Sequence, residues 1–152
     1  FNAAAIGYLI TRNATTAGAE GGCQAEVGSA SAMAASAAVE LFGGTPRQCM
    51  DAASFAMVNI LGLVCDPIGG LVENPCQNRN AMGASNALIS AELSLAGVKS
   101  ITPIDETIGV MYAVGRSIPS ELRETSLGGM AVAKSACENC MACANKRNKM
   151  KK

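Results

Sequence analysis

The chain has 152 residues, enough for one domain with a buried core. Lys plus Arg number 12 and Asp plus Glu number 12, so the charge balance implies neither a phosphate backbone nor an anionic membrane as partner. It contains no histidine, which excludes a zinc-hydrolase site or a Ser-His-Asp triad made from this chain alone and removes the usual general base.

Apolar residues make up 49% of the chain but aromatics only 3%, so small side chains must fill most of any interior. That composition suits helices that approach closely. The first segment, Asn2 to about Asn13, has helical apolar spacing and ends in a Thr/Gly-rich turn. Glu26 to Phe42 is Ala-rich, with Val27, Met33, Ala34, Ala37 and Leu41 predicted near one face, and Gly43-Gly44 stops it. Thr45-Pro46 sets an N-cap residue before a proline and opens a helix expected to reach about Val64. Ile68 to Cys76 carries two glycines and a proline and reads as an ordered loop.

A helix resumes near Gln77 or Asn78 and runs to Leu95, with Gly97 as its stop. Thr102-Pro103-Ile104-Asp105 approximates a capping box and starts a helix to about Arg116. Pro119 to Leu122 suggests a short helix, Gly128-Gly129-Met130 leads into an apolar tail, and Asn145 to Lys152 is a basic end. No alternating pattern of useful length is present, so the predicted fold is all-α, a compact helical bundle with Gly/Pro-rich loops. Apolar runs such as Ala56 to Val64 are broken by Asn59 and Gly62, far short of a membrane span, and no signal-peptide pattern opens the chain. Because the sequence opens on Phe1 in what reads as helix, we expect the later part of a longer protein. Residues 1–136 form the expected helical domain, and 137–152 a Cys-containing basic tail.

The seven cysteines are an odd number, which fits a reducing cytoplasm and metal or cluster chemistry better than a closed disulfide framework. Three lie in glycine- and proline-broken segments: Cys23 in Glu-Gly-Gly-Cys-Gln, Cys65 in Leu-Val-Cys-Asp-Pro, and Cys76 in Asn-Pro-Cys-Gln-Asn-Arg-Asn. On spacing alone they are either small buried hydrophobes or cluster ligands. Cys23 and Cys76 stand before helices, where the helix dipole lowers a thiol pKa. Cys65 is expected at a helix C-terminus, where it does not. Cys49 reads as mid-helix core.

The string Cys65-Asp66-Pro67-Ile68-Gly69-Gly70-Leu71-Val72-Glu73-Asn74-Pro75-Cys76-Gln77-Asn78-Arg79-Asn80, with Gly83, Asn86 and the upstream Cys23, resembles the iron–sulfur-dependent L-serine dehydratases. The likeness is to the C-terminal part of their α chain or α domain, and it runs from about Gly18 to about Cys137. It implies that Cys23, Cys65 and Cys76 hold a [4Fe–4S] cluster, with one iron left open as a Lewis acid. The activity implied is β-elimination of water from L-serine, giving pyruvate and ammonia. It further implies an oligomer with a β domain or β subunit, and a general base outside this sequence. Gly21, Gly22, Gly69 and Gly70 would let backbone N–H groups approach the sulfides.

Arg79 either pairs with the substrate carboxylate or serves in a cap or buried ion pair. Asn78 and Asn80, with Asn74 and Asn86, either orient the amino acid or support the loop. Glu26 is either an acceptor behind Cys23 or a first-turn dipole partner. In the tail, Cys137-Glu138-Asn139-Cys140-Met141-Ala142-Cys143 resembles the start of a ferredoxin motif, which leaves an electron-transfer module open. The family resemblance offers Cys137 instead as a tail ligand to the open iron, although here the chain continues past it. Cysteine desulfidases and threonine dehydratases are the neighbouring activities.

Overall fold

A computed structural model describes residues 1–139, the side chains of Cys137 and Asn139 excepted. The expectations for Cys140, Cys143 and the basic end fall outside the described residues. The order is α1 (Asn2–Asn13), α2 (Gly18–Gly21), α3 (Cys23–Leu41), α4 (Pro46–Asn59), α5 (Cys76–Leu95), α6 (Ile104–Ser117) and α7 (Lys134–Asn139). Single 3-10 turns sit at Ile68–Gly70, Ser120–Leu122 and Gly129–Val132. The fold is all-α. Among the described residues the one departure from helix and loop is an isolated parallel bridge between Cys65 and Arg123.

Helices α3, α4 and α5 pack on one another, with α1 against α3 and α6 against α4. The core between them holds Ile6, Ile10, Val39, Met57, Ile108 and Met111 among many alanines, and Cys49 is part of it. Small residues make the α3 interface. Its buried positions include Ala25, Gly28, Ala32, Ala35, Ser36 and Val39, whereas Leu41 is 85% exposed and Ala34 faces solvent. Of the face predicted through Val27, Met33, Ala34, Ala37 and Leu41, Val27 is buried and Met33 packs against the core, but Ala34 and Leu41 are exposed. Side-chain size was a poor guide because alanine, glycine and serine allow the closest approach.

Buried polar groups fasten the same three helices. Asn86 donates to Ser31 Oγ (2.9 Å) and the Ala56 carbonyl (2.8 Å), and accepts from Asn59 Nδ2 (2.7 Å). Ser31 in turn donates to the Gly83 carbonyl at 2.8 Å. Asn86 thus supports helix packing. Thr45 caps α4 in a full capping box with Gln48. The box expected at Thr102 is not formed: Pro103 is the N-cap of α6 and no side chain caps it.

Helix boundaries matter most near the cysteines. α3 starts at Cys23 rather than Glu26, and α5 at Cys76 rather than a residue or two later. α4 ends at Asn59, short of Val64, and turns through Gly62 at φ +86°. Cys65 consequently does not lie at a helix C-terminus. It occupies extended backbone, its N–H donating to the Leu122 carbonyl (2.8 Å) and its carbonyl accepting from Glu124 N–H (2.7 Å).

Candidate metal centre

Cys23 is the first residue of α3, and Gly22 before it adopts φ +75°, a left-handed conformation that costs glycine little. A Cβ on Gly22 would stand 2.7 Å from the Leu63 carbonyl, so the loop after α4 lies directly against this helix start. The next residue, Gln24, is buried and fixes that contact. Its backbone N–H donates to the Leu63 carbonyl (2.9 Å), its Nε2 to the Met111 carbonyl (2.8 Å), and its Oε1 accepts from Gly62 N–H (2.8 Å). Gln24 therefore ties α3, α6 and the loop that delivers Cys65. Sequence reading did not single it out, although a glutamine at the head of a run of small residues was a signal.

The result is a second apolar cluster of Cys23, Val27, Ile60 and Cys65, with Leu63 packed against it. Cys23 is 3% exposed and Cys65 4%. Their sulfurs and a carboxylate oxygen of Glu26 all lie within 4.8 Å of one another. Glu26 is exposed, one turn along α3. Cys76, half-buried at the start of α5, stands outside this tight group but close enough to be affected by charge on Cys23 and Glu26.

Arg79 joins the pieces. Its Nη1 donates to Asp66 Oδ1 at 2.6 Å and to the Val64 carbonyl at 2.8 Å, and lies 3.8 Å from Cys23 Sγ. The Asp66 carboxylate is buried and its second oxygen accepts from Met130 N–H at 2.6 Å. One guanidinium thus touches the Cys23 segment and both neighbours of Cys65 from the helix that begins with Cys76. Asp66 extends the link to the Gly129–Val132 turn. Of the two roles open to Arg79, the ion pair is the one its contacts display. Asn78 and Asn80 are exposed on the first turns of α5, and Asn80 donates to the Cys76 carbonyl at 2.8 Å. Cys137 falls in α7, its side chain outside those described.

The electrostatics divide the thiols. A hydrogen bond from the Cys65 thiol, helped by Arg79 against the penalty of burial, lowers Cys23 to about 7. Cys65 moves the opposite way, because it donates that hydrogen bond and is itself buried. Cys76 is raised, chiefly by burial and then by charge on Cys23 and Glu26. The helix start does not depress it as the sequence suggested; desolvation wins. Burial opposes the Arg79 charge, but the Asp66 carboxylate and Cys23 more than offset it and its pKa rises. The set suits a thiophilic metal group: a ready thiolate, two further sulfurs awaiting an electrophile, and a fixed cation beside them.

Comparison with known proteins gives one consistent picture. The family model described as serine dehydratase alpha chain matches residues 1–131. The "L-serine dehydratase, alpha chain" of Peptoniphilus asaccharolyticus is 61% identical over 129 residues, covering 85% of this chain and 44% of its own length. The "Probable L-serine dehydratase, alpha chain" of Bacillus subtilis (strain 168) is 57% identical over 131 residues, 86% of this chain and 44% of the relative. A longer "L-serine dehydratase" from Mycobacterium bovis is 48% identical over 132 residues, with 86% and 28% covered. The chain spans less than half the length of these three relatives.

Proposed function

The chain belongs to the serine dehydratase alpha-chain family, and on that premise we propose that it is the cluster-holding part of an L-serine dehydratase. In this reading Cys23, Cys65 and Cys76 ligate a [4Fe–4S] cluster. The observation that carries it is the meeting of the buried Cys23 and Cys65 sulfurs beside Arg79, with Cys76 at the start of the helix that bears Arg79. When bound by three cysteines, such a cluster supplies an iron with no protein ligand, a Lewis acid for a hydroxyl leaving group.

The chain's own residues prepare the place. Cys23 offers a thiolate near neutral pH, and Arg79 balances negative charge on the ligands while holding the Val64–Asp66 segment to α5. Gln24 fixes the height of that segment over α3. Asn78 and Asn80 stay exposed near Cys76, in reach of an incoming amino acid, and Arg79 remains a candidate for its carboxylate. The reaction removes the α-proton and the β-hydroxyl of L-serine, and the aminoacrylate tautomerises and hydrolyses to pyruvate and ammonia. With no histidine here, the base comes from the remainder of the α chain or from a β domain or subunit. We place the working enzyme in the reducing cytoplasm, as an oligomer with that β part.

The test is anaerobic reconstitution of the full-length enzyme and of Cys23→Ser, Cys65→Ser and Cys76→Ser. Iron and sulfide contents and pyruvate formed from L-serine, L-threonine and L-cysteine are then measured. Loss of iron and of serine-dependent pyruvate in each variant is expected. Full iron content in any of them refutes that ligand, and wild-type enzyme with no cluster refutes the reading.

A further inference from the structure

We propose that Glu26 recognises the α-ammonium group of the substrate, and so selects an amino acid over a hydroxy acid. The inference deepens the serine dehydratase reading and rests on it. A carboxylate oxygen of Glu26 lies within 4.8 Å of the sulfurs of both Cys23 and Cys65. Those cysteines are buried, whereas Glu26 is exposed, so it is the member of the group that reaches the surface of the described residues. No hydrogen bond or ion pair engages this side chain among the described residues.

Gly18, buried in α2, packs against both groups. A Cβ on Gly18 would come within 3.2 Å of Glu26 Oε2 and 3.1 Å of Cys65 Sγ, so any side chain there would crowd carboxylate and thiol together. Charge completes the argument. Arg79 already has Asp66 at 2.6 Å, and both Glu26 and Glu124 add negative charge beside Cys65. Ligand thiolates add further negative potential. The ammonium end of a zwitterion is drawn to that position, and its carboxylate is directed away from it. A simple helix-dipole role for Glu26 would need none of this proximity to Cys65, which comes from another element.

The experiment compares E26Q and E26D with the wild-type full-length holoenzyme, each checked for iron content and Mössbauer spectrum. E26Q should keep its iron, raise KM for L-serine about 10- to 100-fold, and change kcat much less, since one charge-assisted hydrogen bond is lost. E26D should recover part of the loss. Inhibition by 3-hydroxypropionate, which is serine without its ammonium, should be the same in E26Q and wild type. Equal weakening for serine and 3-hydroxypropionate, or an unchanged KM, overturns the proposal. Loss of iron in E26Q overturns it too and makes Glu26 a ligand. Absence of pyruvate from wild-type holoenzyme defeats instead the dehydratase reading on which it rests.

Discussion

Arg79 does at one point what the three cysteines cannot do for themselves. Thiols brought together without a metal compete for protons, and Cys23 wins the negative charge because Cys65 donates to it and the guanidinium stands 3.8 Å away. Removing that cation should weaken the site before any chemistry occurs. In Arg79→Met, reconstituted enzyme should lose iron to a chelator several-fold faster than wild type, with Arg79→Lys intermediate because it lacks the planar fork. Equal rates in all three would deny Arg79 this role. The apo-protein offers a second check. Cys23 is protonated below its pKa and a thiolate above it, so thiolate absorbance lost in Cys23→Ser should rise with a midpoint near 7. Iron uptake should be slower at pH 6 than at pH 8 for the same reason, and Arg79→Met should move the midpoint upward. A midpoint at the ordinary thiol value would contradict the proximity of Cys65 and Arg79.

At the scale of elements, a buried polar joint holds α3, α4 and α5 in the register the site requires. Asn86→Ala removes the partner of Asn59 and one partner of Ser31, and should cost on the order of 1–3 kcal/mol in urea unfolding while leaving Cys23, Cys65 and Cys76 untouched. An unchanged midpoint would mean water replaces the amide without loss. The longer helices and their order were legible from caps, prolines and glycines, because those signals are local: Thr45-Pro46 and Gly43-Gly44 read as they fold, whereas the short α2 and α7 were not foreseen. What escaped was set by tertiary contact. The extended Cys65 and its bridge to Arg123 depend on a segment that is remote in sequence. The packing face of α3 escaped because its determinants are small residues. In the site, the cysteine segments were visible from their sequence contexts, but Gln24 and the double-ended Asp66 were not, since their partners are backbone groups far along the chain.

At the scale of the molecule, the chain brings two buried cysteine sulfurs together beside Arg79 and holds no histidine. It spans 44% of the alpha-chain relatives from P. asaccharolyticus and B. subtilis, and no helix among the described residues is long and apolar enough to cross a membrane. The account predicts that residues 1–152 alone, reconstituted anaerobically, bind iron and sulfide yet form no pyruvate from L-serine. Supplying the remainder of the α chain and the β part should restore turnover, and air should abolish it as the open iron is lost. Pyruvate from the isolated chain would place the base within it. The most direct test of the central claim is Mössbauer spectroscopy of the intact, reconstituted enzyme before and after L-serine. The account predicts that one iron of four shifts on serine addition while pyruvate forms. Four irons indifferent to serine, with no pyruvate, would contradict it.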